Sequence, residues 1–556
     1  MEIIIFMSGI IIVLFGFFIK GFYDQKKTIK SFRQKLKENY GKYPEKNYKP
    51  EQYENIAKYY LKHKKGYSID DITWNDLDMD TIFMLMNHTN SSAGEEYLYH
   101  RLRTPELNGD KIERDEELIQ YFMDHEEDRI KLQLAFSKMG NTGKYSIYDY
   151  LEFLDVLGSR DNAKHIVADI LYLPAIVFTL FMPAYGIMFL IALMIYNMLT
   201  YSKEKSEIQP YIISFFYVLR VIKSVGEISK LNIDILKPNC DSLNGLRRVF
   251  KNFEKRSKKL AKDDSNADPL AIFALYFKMI THSDIIIFNN IYIDVKKHVK
   301  DIDTILTETG YLESIIAIGA FRKSIGDYCL PKFNHNGLLE AKNLYHPMIM
   351  NPVKNCFSCN RGMLLTGSNA SGKSTFLKTI AINAILAQTI HTCMADEFHS
   401  EFYRVYSSMA LTDNLDGGDS YYIVEIKSLK RILDAVALDH SAPVLCFVDE
   451  VLRGTNTVER IAASTQILRS LTGERVKCFA ATHDIELTHL LEEQYDNNHF
   501  EEEVIEGDVV FHYELLNGRA TTRNAIKLLS IIGYNEKIIA SAEGLAEKFL
   551  KTGQWV

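Results

Sequence analysis

The distribution of apolar residues singles out two long segments of the chain. The first, IIIFMSGIIIVLFGFFI at residues 3–19, is about as long as the shortest membrane-spanning helix. Glu2 precedes it, no small-residue cleavage site follows it, and seven basic residues come next: Lys20, Lys26, Lys27, Lys30, Arg33, Lys35 and Lys37. Because basic residues favour the cytoplasmic side, the pattern predicts an uncleaved N-terminal transmembrane anchor, with the rest of the chain in the cytoplasm.

The second apolar segment, residues 170–201, contains no charged side chain. As one helix it would be about 48 Å long, but Pro183 and Gly186 favour a turn that leaves two arms of about 21–24 Å. Basic residues flank both ends, so both ends prefer the cytoplasm: Arg160, Lys164, Lys203 and Lys205. The pattern predicts a short transmembrane or re-entrant hairpin, and a buried hairpin of a soluble core is the alternative. Neither apolar segment contains an ionisable residue that would mark a transport pathway.

A phosphate-binding loop follows the short apolar strand at residues 363–365. The loop GSNASGKS fits the pattern G-x-x-x-x-G-K-[ST] and precedes a helix-like run, so its backbone N–H groups are expected to surround nucleotide phosphates. We expect Lys373 to reach the β- and γ-phosphates and Ser374 to bind Mg²⁺. The predicted ATP-binding residues are Gly367, Ser368, Asn369, Ala370, Ser371, Gly372, Lys373, Ser374 and Thr375.

Two further apolar strands end in polar residues. Asp449 and Glu450 follow the strand at residues 444–448, and His483 follows the strand at residues 476–481. In a doubly wound sheet such strand ends meet at one crevice. We therefore expect Asp449 to hold Mg²⁺, Glu450 to deprotonate the attacking water, and His483 to donate to the γ-phosphate. The predicted catalytic residues are Glu450, His483 and Lys373.

A second glycine-rich segment, DNLDGGDSYYIVE at residues 413–425, lies between the loop and the acidic strand. Its two adjacent glycines and Ser420 precede a helical run, which predicts another phosphate-facing helix N-terminus. Since the first loop already surrounds its own nucleotide, the second most simply serves the ATP of a partner chain. The segment therefore predicts a homodimer in which Ser420 contacts ATP in trans.

The charge and cysteine content of the chain limit the kinds of partner and the compartment that it suits. The 556 residues carry a net charge of −7 at pH 7, so any contact with nucleic acid needs a local basic patch. The most basic helical run, Arg247 to Lys262, suits DNA phosphates or anionic lipid, and a solvated helix face is the alternative. The seven scattered cysteines indicate a reducing compartment, and the pair Cys356 and Cys359 lacks a second pair for a zinc site.

The C-terminal part of the chain resembles the MutS mismatch-repair ATPase family. The motifs that carry this resemblance are TGSNASGKSTFLKTI, DNLDGGDSYYIVE, VDEVLRGTNTVE, ATHDIELT and YELLNGRA. The resemblance implies that Ser420 is offered in trans to the γ-phosphate and that His483 is the switch histidine. It also implies a loop that signals across the dimer, formed by Arg453, Gly454, Thr455 and Asn456. Asn355 falls where the family often presents an aromatic ring to the base, so we expect it at the nucleotide.

The resemblance extends upstream, over DTIFMLMNHT, SAGEEYL, LRTP and IERD and then over ESIIAIGA and YHP, to a helical core or lever domain. It implies an α/β P-loop ATPase domain of the ABC/MutS type plus an all-α lever domain, which the transmembrane hairpin interrupts. The expected organisation is an anchor at 1–20, a juxtamembrane linker at 21–75, lever halves at 76–165 and 202–330, the hairpin at 166–201, and the ATPase at 331–556. About 55 residues separate the anchor from the lever, too few for the usual mismatch-reading and connector domains.

These patterns predict a multi-pass protein of the cell membrane, whose cytoplasmic lever and ATPase domains hydrolyse ATP slowly and in a switch-like manner. Three hypotheses for its task follow, in order of preference. The first is a DNA-binding ATPase that recognises DNA structure or backbone. The second is a membrane-remodelling or transport-related ATPase. The third is a scaffold in which ATP only gates closure of the dimer.

Overall fold

The computed structural model describes residues 20–555 except 21, 22, 25, 144, 157, 159, 252, 256–275, 369–370, 410–420, 454, 506–507 and 521–524. Five predictions lie outside the described residues: the anchor at 3–19, Asn369, Ala370, Ser420 and Gly454. The chain divides into two compact units. The helical unit contains residues 1–63, 86–100 and 117–321, and the sheet unit contains residues 64–85, 101–116 and 322–556. The domain boundaries inferred from the sequence stay a prediction.

Helices form most of the described chain. A helical stretch covers residues 26–39. The helices that follow, in chain order, are Pro50–His63, Asp71–Asp76, Met79–Met86, Ser92–Arg103, Ile112–Asp124, Glu126–Met139, Ile147–Val156, Ala163–Ile170, Tyr172–Phe181, Pro183–Ile228, Lys237–Val249, Ser283–Lys297, Val299–Ile325, Lys373–Ile390, Tyr421–Ala437, Thr457–Ser470, Ile485–Leu490, Ala525–Ile531 and Glu536–Thr552. A short 3-10 helix covers Asp234–Leu236.

The second apolar segment forms two antiparallel helical arms. The first arm ends at Phe181, and a helix of 46 residues begins at Pro183, so the chain turns where the sequence predicts. Gly186 makes this turn tight, because a side chain there would meet the backbone of Thr179. Among the residues that the structure describes, two stretches are long and apolar enough to cross a membrane, Ala163–Phe181 and Pro183–Gln209.

Two details of the predicted hairpin need correction. The helical arms extend beyond the uncharged segment, so the first spans 19 residues, or about 28 Å, rather than 21–24 Å. This arm also begins with charged and titratable side chains, His165 and Asp169 among them, which lie before the uncharged segment at 170–201. Large apolar side chains stay exposed along both arms, as Phe181 at 80% and Leu199 at 69% illustrate. An exposed apolar surface of this kind is unfavourable in water, and the described residues do not pack over it.

The described strands of the sheet unit are β1 (Lys332–Phe333), β2 (Leu339–Leu344), β3 (Asn355–Cys359), β4 (Gly362–Thr366), β5 (Glu397–Ser400), β6 (Arg404–Ser408), β7 (Val444–Asp449), β8 (Val476–Ala481), β9 (Tyr495–His499), β10 (Glu502–Ile505), β11 (Asp508–Phe511) and β12 (Leu516–Asn517). The sheet unit is built on a six-stranded sheet with the order β12-β9-β4-β8-β7-β6. A four-stranded sheet with the order β1-β5-β2-β3 and the hairpin β10-β11 accompany it.

The central strands are parallel and fully enclosed. Strands β6, β7, β8, β4 and β9 pair in parallel, and β12 joins β9 antiparallel. All five residues of β4 and all six of β8 are buried, which agrees with the mainly apolar sequence of both strands. Helix Lys373–Ile390, which follows β4, packs against β6, β7 and β8. This arrangement agrees with the predicted α/β sheet.

Two helices of the helical unit approach each other closely at a glycine. A Cβ atom on Gly310 would lie 2.5 Å from the carbonyl oxygen of Ala93 and 2.6 Å from Cβ of Tyr97. Near this contact Glu313 is fully buried, and it accepts hydrogen bonds from the backbone N–H of Asn90 and from Ser91. Burial raises the pKa of Glu313 to about 7, and hydrogen bonding opposes that rise.

We predict that Gly310→Ala destabilises the helical unit by about 1–3 kcal/mol, because backbone atoms cannot move aside for the methyl group. Gly245→Ala is the matched control, since Gly245 lies in a helix with nothing within 4 Å of the added atom. The control should stabilise by about 0.5–1 kcal/mol through helix propensity. Thermal unfolding of both purified variants measures the difference, and equal melting temperatures would contradict the packing described.

Candidate nucleotide-binding site

Three parallel strands bring the predicted site residues to one edge of the sheet. Strands β4, β8 and β7 are neighbours, and the register pairs Leu365 with Ala481 and Ala481 with Asp449. The loops that follow these strands therefore leave the sheet side by side. Such an edge, at the carboxyl ends of parallel strands, is where α/β proteins bind ligands.

The loop after β4 requires two glycines. Gly367 has a φ of 145°, and a Cβ there would lie 2.7 Å from the carbonyl oxygen of Phe500. Gly372 has a φ of 104° and precedes helix Lys373–Ile390. Both conformations are unfavourable for other residues, so the glycines let the loop curl over the start of the helix. The helix N-terminus then points its free N–H groups at the loop interior.

Lys373 is folded into this loop. Its ammonium group donates to the carbonyl oxygens of Gly367 at 2.9 Å and Ser368 at 2.7 Å, and the side chain is buried. Burial lowers the pKa of Lys373, while the nearby carboxylates of Asp449 and Glu450 oppose that shift. Ser371 is also buried, and its Oγ has no hydrogen-bond partner among the described residues. An unpaired hydroxyl inside a loop of N–H donors fits a phosphate group.

Two oxygen ligands for a divalent cation meet at the next strand end. The hydroxyl of Ser374 donates to Oδ2 of Asp449 at 2.5 Å. A hydroxyl and a carboxylate suit Mg²⁺, which takes most of its remaining ligands from water and phosphate oxygens. The described residues contain no group of three or more His, Cys, Asp or Glu side chains able to hold a metal without such help. Ser374 and Asp449 would thus hold Mg²⁺ together with a nucleotide.

Glu450 is bound on both carboxylate oxygens. His483 Nε2 lies 3.0 Å from Oε1, and Arg453 Nε lies 2.7 Å from Oε2. A carboxylate can only accept, so His483 carries its hydrogen on Nε2. The hydrogen bond from His483 lowers the pKa of Glu450, the charges of Arg453 and Lys373 add to that effect, and burial opposes it. Glu450 is therefore an anion at neutral pH, held between two donors.

The backbone after β7 adopts an unusual conformation that another residue supports. Glu450 and Leu452 have φ values of 59° and 60°, in the left-handed region that side chains disfavour. The buried carboxylate of Glu425 accepts a hydrogen bond from the N–H of Leu452 at 2.5 Å, and burial raises the pKa of Glu425. Sequence reasoning included Glu425 in a motif but gave it no role. The structure makes it the anchor of the loop that presents Glu450.

An apolar cavity of about 460 Å³ adjoins the loop. The ring of Tyr513 lies against Gly372 on one wall, and Met350, Val353 and Phe376 contribute to the others. Asn355 also lines it, but its side-chain amide is engaged by the carbonyl of Tyr513 at 3.0 Å and the N–H of Leu515 at 2.8 Å. Asn355 thus positions the segment that carries Tyr513, and its predicted contact with the nucleotide stays a prediction.

The remaining predicted residues have varied surroundings. Thr375 lines the same cavity, Ser368 donates to Glu502 at 2.7 Å, and Asn456 caps helix Thr457–Ser470. The basic run is described in part, where Arg247 forms an ion pair with Glu254 at 3.0 Å. Exposed basic side chains in the described part of that run are Arg248, Lys251 and Lys255.

Comparisons with known proteins agree with this geometry. A family profile described as MutS domain V matches residues 363–550, the region that contains all three strand ends. Residues 363–550 of this chain are thus similar to domain V of the MutS family. Domain V is the ATPase domain of that family.

The MutS relatives match part of the chain at modest identity. The DNA mismatch repair protein MutS of Thermus aquaticus is 32% identical over 186 residues, which is 33% of this chain and 22% of the relative. The MutS protein of Thermotoga petrophila is 28% identical over 275 residues, 48% of this chain and 34% of the relative. That of Pseudothermotoga lettingae is 32% identical over 227 residues, 39% of this chain and 27% of the relative. The chain thus matches about a fifth to a third of the length of these relatives.

We predict that Glu425→Ala loosens the loop that carries Glu450, because the N–H of Leu452 loses its acceptor at a cost of about 1–3 kcal/mol. Glu425→Gln, whose side-chain carbonyl can still accept, is the matched control. Hydrogen–deuterium exchange of a peptide covering residues 449–453 should rise several-fold in the alanine variant and stay near wild type in the glutamine variant. Unchanged exchange in both variants would show that Glu425 does not anchor this loop.

Proposed function

We propose that this chain is a membrane-anchored MutS-family ATPase that binds ATP with Mg²⁺, hydrolyses it at the interface of a homodimer, and acts on DNA. The main support is the convergence of Lys373, the Ser374–Asp449 pair and the Glu450–His483 pair on one sheet edge. These are the groups that a phosphoryl-transfer site needs: a cation for the phosphates, oxygen ligands for Mg²⁺, and a base for the water.

In this proposal each side chain has one task. Lys373 exchanges the loop carbonyls for β- and γ-phosphate oxygens, and Ser374 and Asp449 hold Mg²⁺. Bound Mg²⁺ would neutralise phosphate charge. Glu450 accepts the proton of the attacking water, and the N–H of His483 keeps the carboxylate oriented. The cavity beside Tyr513 is of the apolar, aromatic kind that receives a nucleobase, and Tyr513 is partly exposed at 44%.

Two parts of this proposal, the homodimer and DNA as the partner, are supported by the sequence and by the relatives. Ser420 and its two glycines precede helix Tyr421–Ala437, whose first turn would face the partner's nucleotide. The relatives are named as DNA mismatch repair proteins, so DNA is the first candidate partner. Arg248, Lys251 and Lys255 offer exposed positive charge for its phosphates.

A second candidate is action on a membrane partner. The hairpin exposes apolar side chains on both arms, and its helices are long enough to span a bilayer. A hairpin in the membrane would place the ATPase at the cytoplasmic face, where the same basic residues can contact anionic lipid head groups. In this case nucleotide turnover would respond to membrane composition and not to DNA.

Glu450→Gln should lower the rate of ATP hydrolysis by about 10²–10⁴-fold while ATP binding persists, because the amide cannot accept the proton. Lys373→Ala should abolish ATP binding or turnover, since the phosphates lose their cation. Lys342→Ala, which removes an exposed lysine of β2 that pairs with Glu397, is the control. Steady-state hydrolysis and equilibrium binding of a fluorescent ATP analogue separate the two effects. Hydrolysis by Glu450→Gln at the wild-type rate would show that Glu450 is not the general base.

DNA binding should be tight and salt-dependent if DNA is the partner. Replacing Arg248, Lys251 and Lys255 with glutamine should weaken binding and reduce the slope of log K against log salt by up to about 3. Fluorescence anisotropy with homoduplex, mismatched, branched and single-stranded DNA measures this, with and without ATP.

The matched control for that experiment replaces three exposed lysines elsewhere in the helical unit: Lys49, Lys223 and Lys300. This control should leave the salt slope close to wild type. If wild-type protein binds no DNA above a weak background but its hydrolysis responds to anionic vesicles, the second candidate replaces the first.

A further inference from the structure

A buried polar cluster lies where the apolar hairpin joins the rest of the helical unit. We call it the hairpin joint, and its side chains are His165, Asp169, Asn197, Thr200 and His282. His165, Asn197 and His282 are 3%, 0% and 2% exposed, so this is a polar interior next to an apolar surface. Ionisable residues in such a setting carry a high energetic cost and commonly serve a function.

The two histidines are bonded directly to each other. His165 Nδ1 lies 2.8 Å from His282 Nδ1. His282 Nε2 lies 2.8 Å from the backbone carbonyl of Asn197 and 3.4 Å from Thr200 Oγ1. The side-chain amide of Asn197 adds two contacts to this cluster. It donates to the carbonyl of Ile280 at 2.8 Å and to the hydroxyl of Tyr172 at 3.2 Å.

These contacts determine where the hydrogens lie. A carbonyl only accepts, so His282 must carry a hydrogen on Nε2, and in the neutral ring its Nδ1 is then an acceptor. His165 must therefore donate from Nδ1, which leaves its Nε2 as a bare acceptor. That nitrogen is buried and has no hydrogen-bond partner among the described residues.

Two further acceptor atoms in the joint also lack a described hydrogen-bond donor. Asp169 Oδ1 and Asn197 Oδ1 are buried without a hydrogen-bond partner in the described part of the chain. Asp169 lies four residues after His165 in helix Ala163–Ile170, and therefore on the same helix face. His282 is itself held in the left-handed region with a φ of 50°, a conformation that persists where the surroundings impose it.

The other charged groups around the joint are largely paired with one another. Arg160 binds Glu204 at 2.9 Å, and Lys164 also binds Glu204. Across the helices, Lys205 binds Asp284 at 2.6 Å.

The remaining titratable groups near the joint do not supply the missing donor. Tyr201 donates to Asp284 at 2.9 Å, and Lys278 also lies near Asp284. Glu207 binds Arg160 at 3.2 Å, and the hydroxyl of Tyr172 already accepts from Asn197. His165 Nε2 and Asp169 Oδ1 thus stay as acceptors without a donor.

We propose that the hairpin joint is a proton-binding site that makes attachment of the hairpin dependent on pH. The first proton binds at His165 Nε2, and the hydrogen bond from His165 Nδ1 to His282 persists as a charge-assisted bond. A second proton must bind at His282 Nδ1. Two N–H groups then face each other across 2.8 Å and two cations adjoin, so the pair separates.

The hairpin joint shares no residue with the nucleotide-binding site, so proton binding there does not require ATP hydrolysis. Separation of the histidines removes the bond between the first arm and the start of helix Ser283–Lys297. The contact between the first arm and that helix would then loosen on acidification, while Lys205 and Tyr201 still hold the second arm at Asp284. A chain that spans a membrane by this hairpin would convert proton uptake into movement of the segment next to the bilayer.

Exchange of histidine C2 hydrogens for deuterium, followed by mass spectrometry, tests this on the full-length protein in lipid nanodiscs. Between pH 3 and 8.5, the His165–His282 pair should take up its protons in two coupled steps. The exposed His440 provides a reference within the same sample. Backbone exchange of residues 163–201 and 276–297 should rise at least tenfold with the second step.

Two variants test whether His165 is the first proton-binding residue. His165→Gln keeps a donor toward His282 but removes the first binding site, so the two-step titration should collapse to one step. His489→Gln removes an exposed histidine of the sheet unit and should leave both steps unchanged. Single-step titration of both wild-type histidines, or backbone exchange that does not change with pH, would overturn the proposal. The wild-type titration decides the matter even if His165→Gln fails to fold.

Discussion

The parallel pairing of β4, β8 and β7 is the constraint on which the candidate site depends. Because these strands run in the same direction and are neighbours, their carboxyl ends lie side by side. Three loops that are far apart in the chain then share one edge, and Lys373, Asp449, Glu450 and His483 meet there. A change of register in any of these strands would move one of the four groups away from the others, which links the packing of the buried sheet directly to the chemistry.

The groups at that edge are held by contacts that differ in character. Lys373 and Ser374 are held by backbone and side-chain hydrogen bonds that a nucleotide with Mg²⁺ can replace. Glu450 is fixed from three directions: by His483, by Arg453 and by a left-handed backbone that Glu425 supports. The contacts of the binding half can thus be exchanged for those of a nucleotide, whereas Glu450 is held by groups of the chain itself. This division suits an enzyme in which binding changes the conformation and hydrolysis follows slowly.

Much of the sheet unit could be predicted from the sequence, because its signals are local. An apolar strand, a glycine loop and a lysine at fixed spacing identify β4 and its loop, and the strands that end at Asp449 and Ala481 are similarly clear. The turn of the hairpin at Pro183 was likewise predictable. The contacts of Glu425 with Leu452 and of Tyr513 with Asn355 could not be predicted, because they join segments that only the folded chain brings together. The His165–His282 pair was missed for the same reason, since 117 residues separate the two rings.

The claim that the strand-end cluster is an ATP site is tested most directly by a structure of the full-length protein with Mg²⁺ and a non-hydrolysable ATP analogue, determined by cryo-electron microscopy. The account predicts that the ammonium group of Lys373 leaves the carbonyls of Gly367 and Ser368 for the β- and γ-phosphates. It also predicts Mg²⁺ beside Ser374 and Asp449, and a water within hydrogen-bond reach of Glu450. A nucleotide bound elsewhere, or Lys373 still bound to its own loop beside the analogue, would contradict it.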